Sequence, residues 1–247
     1  MSEKIKRAAK ILRQAKHAIA FTGAGISVES GVPAFRGSQG LWTRYDPKVL
    51  EIDYFLKNGE ECWPYIKEIF YDHFGRAVPN AAHRALARME QAGLLKCVVT
   101  QNIDDLHQRA GSRAVYEFHG NSSRLLCLKC GAAVAADKVD WDRLPPRCPR
   151  DRSILKPDFI FFGEAIPPQA AQGAFENAAR SDVCVVVGST GEVTPAAFVP
   201  VRAKEKGAFI IEVNPEESRF TREITDLYLP GKAGEVLGAI EREIFGD

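Results

Sequence analysis

The sequence has no excess of either charge, no long apolar run and few cysteines. Its 33 Lys and Arg residues balance 32 Asp and Glu residues, which leaves a net charge of +1. This balance gives bulk charge no role in binding nucleic acid or a membrane surface. No apolar run reaches the roughly 20 residues of a membrane helix. Six cysteines are too few for a disulfide scaffold in a chain of 247 residues, so we expect a cytoplasmic protein.

The residues that are present are typical of a globular α/β protein, with 45% hydrophobic residues. The N-terminal segment lacks the apolar core of a secretion signal. It predicts a surface helix with Ile5, Ala8, Ala9, Ile11 and Leu12 on one face, and a basic presequence is the weaker alternative. Apolar runs predict strands at residues 18–21, 97–100, 115–118, 159–162, 183–187, 209–213 and 227–229, and helical patterns occupy residues 80–92, 168–180, 195–206 and 234–245. This alternation predicts a Rossmann-like, mostly parallel sheet with helices on both faces.

Two segments do not fit the alternation. Residues 41–75 are helical or irregular and rich in aromatics, and residues 121–157 contain three cysteines and a cluster of prolines. We expect a helical insertion and a zinc-ribbon module there, which together form a smaller lobe. The Rossmann-like lobe then comprises residues 1–40, 76–120 and 158–247. Ligands of such sheets bind beyond the carboxyl ends of the strands.

The glycine-rich turn after the first predicted strand is an incomplete dinucleotide fingerprint. Gly23 and Gly25 supply two glycines of G-x-G-x-x-G, but Val28 takes the third place, and no ribose-binding acid ends a strand about 20 residues further on. A tight turn between a strand and a helix also favours glycine, so the turn alone leaves dinucleotide binding open. Arg36, beside Phe35, is a candidate phosphate fork, and the alternative is a surface arginine.

Polar residues follow the next two predicted strands. Gln101, Asn102 and Asp104 come directly after residues 97–100, where amides and a carboxylate suit sugar hydroxyls and a carboxamide. His119 ends the following strand, where a histidine can reach a ligand and titrate near neutrality as a general base. A hydrogen-bonded core histidine is the alternative for His119 taken alone, but its polar neighbours favour the general base.

Small and polar residues follow the later strands and open the last predicted helix. They are Gly188, Ser189, Thr190, Asn214, Pro215, Lys232 and Ala233. Small residues allow a cofactor to approach the backbone, and we expect free N–H groups at the start of the last helix to meet a ligand. The convergence of these strand ends on one cleft predicts the binding site.

Three cysteines and an aspartate have the spacing of a zinc ribbon. Cys127 and Cys130 form C-x2-C, and Cys148 follows after seventeen residues, with Asp151 where a fourth cysteine belongs. A carboxylate can complete a tetrahedral zinc site, so Asp151 is the candidate fourth ligand. The alternatives are an incomplete site that holds zinc loosely and a module without metal. A catalytic zinc is disfavoured because the module lies outside the predicted cleft.

The chain resembles the sirtuin family of NAD-dependent protein lysine deacylases. The segments that carry the resemblance extend over nearly the whole chain and are "GAGIS", "SGVPAFRG", "TQNIDDLHQRAG", "EFHG", "CLKC", "FFGE", "GST", "TPAA", "VNP" and "GKAGE". The resemblance implies that NAD is consumed as a co-substrate and transfers no hydride. The residues that it assigns to NAD are Gly23, Ala24, Gly25, Ile26, Phe35, Arg36, Gln101, Asn102, Ile103, Asp104, Gly188, Ser189, Thr190, Asn214, Lys232 and Ala233.

The resemblance also implies a reaction and a substrate path. An acetylated lysine of a protein would pass Ile160 and Phe162, between the loop at Gly163 and Glu164 and the segment at Val193. The acyl oxygen would attack the sugar carbon of NAD as nicotinamide leaves. His119 would then be the general base and Asn102 its catalytic companion, and the products would be free lysine, nicotinamide and O-acyl-ADP-ribose.

The chain departs from the family pattern at three places. Ala34 stands where many relatives carry an acid, and Glu192 adds charge near the implied peptide groove, which would favour basic residues around the target lysine. Relatives that remove acidic acyl groups carry a tyrosine and an arginine three residues apart. Here Glu68 follows Tyr65 at that distance, so we expect an acetyl or another neutral acyl group.

Other functions are weaker alternatives. Protein mono-ADP-ribosylation would use the same cleavage of NAD with a different nucleophile. The presence of His119, Asn102 and Asp104 speaks against an NAD-binding regulator without turnover. The near-neutral charge and a lone zinc ribbon speak against a nucleic-acid-binding module.

Overall fold

The computed structural model describes residues 1–32, 44–72 and 77–246. The strands in these ranges are β1 (Ala18–Thr22), β2 (Leu95–Thr100), β3 (Val115–Glu117), β4 (Gly120–Leu126), β5 (Ala133–Ala135), β6 (Lys156–Phe159), β7 (Val183–Val187), β8 (Phe209–Asn214) and β9 (Leu227–Pro230). The helices there are α1 (Ser2–Gln14), α2 (Ile52–Ile66), α3 (Ala81–Gln91), α4 (Leu106–Arg109), α5 (Pro168–Arg180), α6 (Phe198–Glu205), α7 (Arg219–Glu223) and α8 (Ala233–Phe245). None of these helices is long and apolar enough to cross a membrane.

Within the described ranges, the larger sheet has six strands in the order β3-β2-β1-β7-β8-β9. Neighbouring strands are parallel throughout, as the alternating sequence pattern predicted. The chain adds strands on one side of β1 first and then on the other side, starting with β7. The junction between β1 and β7 is therefore the switch point, where parallel sheets open a crevice at their carboxyl ends.

Two apolar layers cover the larger sheet. Ala18 and Ala20 of β1 pack in one cluster with α1, α3 and α8, whereas Ile19 and Phe21 pack in the opposite cluster with α5 and α6. All five residues of β1 are buried because successive side chains point to opposite faces and both faces are covered. Burying an aliphatic or aromatic side chain of this size contributes about 1.5–3 kcal/mol.

A second, antiparallel sheet has the order β5-β4-β6, and it shares an apolar cluster with α2. Trp63 of α2 is fully buried in this cluster, and its indole N–H donates to the carbonyl of Leu155 at 2.9 Å. The cluster also contains Cys127 and Cys148. The helix α2 and the cysteine loops therefore pack into one shared apolar cluster.

The prediction that residues 159–162 form a strand of the parallel sheet is wrong. Only Phe159 lies in a strand, and that strand, β6, pairs with β4 in the smaller sheet. The next residues leave the sheet because their backbone groups bond elsewhere: Ile160 N–H donates to the carbonyl of His119 at 2.8 Å, and Phe162 N–H donates to that of Leu50 at 2.8 Å. An apolar run in a core looks the same whether it pairs in a sheet or crosses between lobes.

The predicted helices differ from the observed ones mainly at their ends. Residues 168–180 form α5 as predicted, whereas the predicted helix at 195–206 is shorter and begins at Phe198. Asn80 caps α3, because its side-chain oxygen accepts from Ala82 N–H at 2.9 Å. The predicted N-terminal helix is confirmed as α1, which buries Ile5, Ala8, Ala9 and Leu12.

Candidate functional site

The glycine-rich turn is held against the end of β7 by its backbone. Gly23 N–H donates to the carbonyl of Val187 at 3.0 Å, and Gly25 N–H donates to that of Gly188 at 2.9 Å. Gly188 has a φ of 63°, and a Cβ placed on it would lie 2.3 Å from the backbone nitrogen of Ile26. Both turns need glycine for this close approach. Ala24 begins the short 3-10 helix Ala24–Ser30, which leads away from the contact.

A chain of hydrogen bonds joins the residues at the ends of β2, β7 and β8. The Ser189 hydroxyl donates to Oε1 of Gln101 at 2.9 Å, and Nδ2 of Asn214 donates to the carbonyl of Ser189 at 3.0 Å. Asn214 also donates to buried Glu212 at 2.9 Å. Residues from the ends of β2, β7 and β8 are thus brought together at the carboxyl edge, as the sequence analysis predicted. Thr190 follows them, and its carbonyl accepts from Arg219 N–H at 3.1 Å.

Asn102 and Asp104 belong to a buried network that sequence reasoning described only in part. The hydroxyl of Ser27 donates to Oδ2 of Asp104 at 2.6 Å and accepts from Nδ2 of Asn102 at 3.0 Å. His83 lies behind Ser27, with Nε2 at 3.4 Å from its hydroxyl. Asn80 N–H donates to Nδ1 of His83, so Nε2 carries the proton and the imidazole is neutral.

Burial shifts the pKa values of this network toward the uncharged forms. Burial raises the pKa of Asp104, and hydrogen bonds from Ser27 and Leu106 oppose that rise. Burial lowers the pKa of His83 to about 4. Ile103 is also buried between the two polar residues, and it packs in the cluster of α2. The strand-end loop is therefore fixed by groups on both sides of it.

A second network lies beneath Asn102 and was missed by the sequence analysis. Nε2 of His107 lies 2.9 Å from the hydroxyl of Thr22, which donates to the hydroxyl of Thr100 at 2.8 Å. The Thr100 hydroxyl accepts from Asn102 N–H at 3.0 Å. Burial lowers the pKa of His107 to about 3, and its Nδ1 has no hydrogen-bond partner among the described residues. No local pattern could pair residues so far apart in sequence.

His119 is oriented by a backbone carbonyl at the end of β2. Its Nδ1 lies 3.0 Å from the carbonyl oxygen of Gln101. Because a carbonyl only accepts, Nδ1 carries the proton and Nε2 keeps a lone pair. Burial lowers the pKa of His119, and the bond to Gln101 opposes that shift. A neutral imidazole with a fixed tautomer has the form that a general base requires.

The predicted substrate residues lie on two separated segments. Phe162 is 52% exposed, although it is a large aromatic residue, and its carbonyl accepts from Ile52 N–H at 3.0 Å. Gly163 follows it with a φ of 90°. Ile160 is joined to His119 through the backbone bond already described. Val193, on the other segment, is half-buried, and its carbonyl accepts from Ala197 N–H at 2.9 Å.

One of the N–H groups at the start of the last helix, which the sequence analysis expected to be free, is already paired. The N–H of Gly234 at the start of α8 is not free, because it donates to Oε2 of Glu29 at 2.6 Å. The positive end of the helix dipole stabilises a carboxylate at this position. Ala233 is buried, and Lys232 remains exposed. Phe35 and Arg36, which the sequence analysis assigned to NAD, and Ala34 lie outside the described residues.

The predicted metal ligands meet at one point. One ligand atom from each of Cys127, Cys130, Cys148 and Asp151 lies within 4.8 Å of the others. The sulfurs of Cys130 and Cys148 are 3.5 Å apart, and Oδ2 of Asp151 is 3.4 Å from the sulfur of Cys127. Such separations are close to those of ligands that lie about 2.0–2.3 Å from one zinc ion. Ser153 N–H donates to Oδ1 of Asp151 at 3.0 Å, which orients the carboxylate.

The remaining cysteines lie elsewhere. Cys97 and Cys184 are buried in the strands of the larger sheet, as predicted, and Cys62 is buried in α2. Burial raises the pKa of the Cys97 thiol to about 12 and that of the Cys62 thiol to about 11. Protonated thiols of this kind pack as small apolar groups and do not bind metal.

Comparison with known proteins gives consistent matches. The model of the Sir2 family matches residues 23–195. An NAD-dependent protein deacylase of Aeropyrum pernix is 43% identical over 245 residues, and the match covers 97% of each chain. An NAD-dependent protein deacetylase of Caldivirga maquilingensis is 44% identical over 245 residues, which cover 98% of this chain and 94% of that protein. A solved structure of a Sir2 homologue in complex with NAD superposes with a TM-score of 0.89 at 39% identity, covering 97% of this chain and 93% of the other.

Substitution of Gly188 should destabilise the fold more than substitution of a similar glycine elsewhere. Gly188→Ala would add a Cβ to a residue in the left-handed conformation, and that Cβ would clash with the backbone of Ile26. Gly207→Ala, at a φ of 92°, would add a Cβ with no atom within 4 Å. We expect about 1–2 kcal/mol of strain for Gly207→Ala and an additional loss of about 1–3 kcal/mol for Gly188→Ala. Urea unfolding measures both, and equal losses would contradict the backbone contact.

The buried histidines should make the protein sensitive to mild acid. The folded pKa values of His83 and His107 lie below the unfolded value of 6.5, so their neutral forms stabilise the fold above that pH. As the pH falls below 6.5, these two histidines bind protons in the unfolded chain but stay neutral in the folded chain. The free energy of unfolding should decrease by up to about 1.4 kcal/mol per pH unit for each histidine.

Urea unfolding between pH 6.5 and 5 tests this decrease. His107→Gln, which keeps a side-chain donor for Thr22 but cannot titrate there, should reduce the slope relative to the unchanged chain. An identical slope in the variant would show that His107 is not a source of the acid sensitivity.

Replacing Asp151 with alanine should weaken zinc retention, whereas replacing it with cysteine should not. Asp151→Ala removes one donor of the cluster, and we expect zinc to bind at least about tenfold more weakly. Asp151→Cys supplies a fourth thiolate and should bind zinc at least as tightly as the unchanged chain. Chelator competition with a colorimetric zinc indicator measures both. Equal zinc affinity in the alanine variant and the unchanged chain would exclude Asp151 from the metal shell.

Proposed function

Because this chain belongs to the Sir2 family, we propose that it removes acetyl or another neutral acyl group from lysine side chains of proteins while consuming NAD. One observation carries the proposal. His119 is anchored on the carbonyl of Gln101, the residue that directly precedes Asn102 and its network with Ser27 and Asp104. A base of fixed tautomer, which follows β3, is therefore held against the end of β2, where polar groups suited to sugar hydroxyls lie.

NAD would occupy the crevice at the junction of β1 and β7. Gly25 and Gly188 let the ends of β1 and β7 pack backbone against backbone, and the pyrophosphate would lie over this junction. Asn102 and Asp104 would meet the nicotinamide ribose, beside Ile103. Ser189 and Asn214 would contact the adenosine half of NAD, and Thr190, Lys232 and Ala233 would surround it. Phe35 and Arg36 remain assigned to the reactive end of NAD on the family resemblance alone.

His119 would act on the sugar rather than on the lysine. Its Nε2 lone pair would accept a proton from a ribose hydroxyl after the acyl oxygen has displaced nicotinamide. The hydroxyl oxygen would then attack the acyl carbon, and lysine would leave as the free amine. One water molecule would add to the resulting cyclic acyl cation, so that the acyl group ends as an ester on a ribose hydroxyl of ADP-ribose. Asn102 would hold the attacking hydroxyl in place through the side-chain amide that Ser27 already orients.

The side chains of the small lobe favour a neutral acyl group. Glu68 accepts from the hydroxyl of Tyr45 at 2.7 Å, and Ile66 and Ile69 are fully buried. Tyr65 therefore has no cation three residues along its helix to pair with a carboxylate on the acyl chain. On the peptide side, Glu192 favours basic residues next to the target lysine.

Zinc would have a structural role in this function. The three cysteines and Asp151 fit a tetrahedral ion, and they join the loops next to β4, β5 and β6. A bound zinc ion would supply folding energy to these loops and would take no part in the reaction. We place the protein in the cytoplasm, because thiolate ligands persist in a reducing compartment. Its near-neutral charge supports neither a membrane nor a nucleic acid as a partner.

One incubation tests the proposed function. The protein is mixed with an acetyl-lysine peptide with and without NAD, and nicotinamide release and peptide mass are followed. We expect loss of the acetyl group only with NAD, in step with nicotinamide, and slower removal of a succinyl group. Transfer of mass to an acceptor protein without deacetylation would show ADP-ribosylation instead, and no reaction of correctly folded, zinc-loaded protein would refute the proposal.

Removal of His119 should abolish most of the activity without unfolding the protein. His119→Ala takes away the general base, and we expect kcat/KM for the peptide to fall by about 10²- to 10⁴-fold. His17→Ala is the matched control, since His17 is also half-buried but lies before β1, at the opposite edge of the sheet. Equal activity of the two variants would exclude His119 as the base.

The pH profile of the unchanged protein gives a second test of this role. The base must be neutral, and burial places the pKa of His119 below 6.5. Activity should therefore be retained at pH 6.5 and fall only at lower pH. A decline centred above pH 6.5 would contradict the assignment.

A further inference from the structure

A buried lysine lies at the start of the segment that carries the proposed lysine path. Lys156 begins β6 and is only 4% exposed. Residues with an ammonium group are rarely buried unless the charge is paired. Its burial therefore requires compensating contacts.

The ammonium group of Lys156 has three close oxygen partners, which equals its number of hydrogens. It donates to the carbonyls of Pro157 at 2.9 Å and Phe159 at 2.7 Å. It also lies 2.8 Å from Oε2 of Glu164, and 4.3 Å above the centroid of the Phe161 ring. Every one of these partners belongs to the segment between Lys156 and Glu164.

Glu164 turns its side chain into this segment. Its Oε2 also accepts from Phe161 N–H at 2.6 Å, and its side chain is only 20% exposed. A carboxylate that accepts both an ammonium and a backbone N–H is committed to holding the loop. Its side chain is therefore not directed at a peptide lying over the loop.

The segment from Lys156 to Glu164, an arc closed by the ion pair, is joined to the rest of the site by backbone hydrogen bonds. Ile160, in the middle of the arc, donates to the carbonyl of His119 at 2.8 Å. Phe162 N–H donates to the carbonyl of Leu50 at 2.8 Å, and the carbonyl of Phe162 accepts from Ile52 N–H at 3.0 Å. The ion pair therefore fixes where Ile160 and Phe162 stand relative to the proposed base.

We propose that Lys156 and Glu164 are a positioning pair that sets the entrance for the acylated lysine. The inference rests on the proposed function and adds a role to it, because Glu164 acts through Lys156 and the backbone and does not contact the peptide with its side chain. Loss of the pair should displace Ile160 and Phe162 and weaken peptide binding. The NAD crevice, which is built on β1, β2, β7 and β8, should be affected much less.

The test compares single and double variants in binding and in turnover. Glu164→Gln keeps an oxygen for Lys156 and Phe161 but removes the charge, and Lys156→Met removes the ammonium at similar length. We expect each to raise the dissociation constant and the KM of an acetyl-lysine peptide by about tenfold or more, while the KM of NAD changes by about twofold or less. Peptide binding is measured by calorimetry without NAD, so that it does not depend on turnover.

The double variant makes the inference falsifiable even where Lys156→Met folds poorly. Lys156→Met with Glu164→Gln leaves no unpaired buried charge, and its effect on the peptide should be clearly smaller than the product of the single effects. Lys204→Met is the matched control, because Lys204 pairs with Asp226 at 2.6 Å and Asp226 also accepts a backbone N–H, from Ile210 at 2.8 Å. This control should leave the peptide constants unchanged.

The outcomes separate the inference from the function on which it rests. If the unchanged protein binds and deacetylates the peptide but the variants of Lys156 and Glu164 match it, the positioning role is refuted alone. Equal losses for peptide and NAD would also refute it, since they would indicate general damage. If the unchanged protein neither binds nor deacetylates the peptide, the proposed function itself is refuted.

Discussion

The hydrogen bonds from Gly23 to Val187 and from Gly25 to Gly188 hold the ends of β1 and β7 together, and the site is arranged around them. They lie where the strand order changes direction, which is the place where open parallel sheets bind their ligands. A side chain on Gly25 or Gly188 would collide with the opposite backbone. This constraint brings the ends of β1 and β7 together, next to the hydrogen-bonded polar residues that follow β2, β7 and β8.

Behind this contact lies a set of buried side chains that hydrogen-bond to one another. Ser27, His83 and Asp104 hold the side chain of Asn102, whereas Thr22, Thr100 and His107 hold its backbone. Because these groups are fixed from two sides, they would not need to reorganise if charge developed on a sugar bound there, as in the proposed function. The same burial that fixes them lowers the pKa values of the two histidines, so rigidity and sensitivity to acid have one cause.

The small lobe uses charge and metal ligands where the large lobe uses apolar layers. Its three-stranded sheet is short, and its cluster with α2 must be completed by the cysteine loops and by the arc that Lys156 and Glu164 close. A short sheet buries little apolar surface, so directional interactions decide its shape. In the proposed function, the glycine contact would lie on the NAD side of the site and the ion pair on the lysine side.

The sequence by itself determined the parallel α/β architecture, the strand-end positions of Gln101, Asn102, Asp104 and His119, and the grouping of the three cysteines with Asp151. Each is encoded locally, by hydrophobic period, by position after an apolar run or by cysteine spacing. Tertiary structure alone decided that residues 160–162 leave the sheet and that Glu29 pairs with the start of α8. It also decided that His107 lies against Thr22 and that Lys156 is buried against Glu164. These features depend on partners distant in sequence or on the path of the chain in space, and a buried lysine or histidine acquires its role only from the groups that folding places around it.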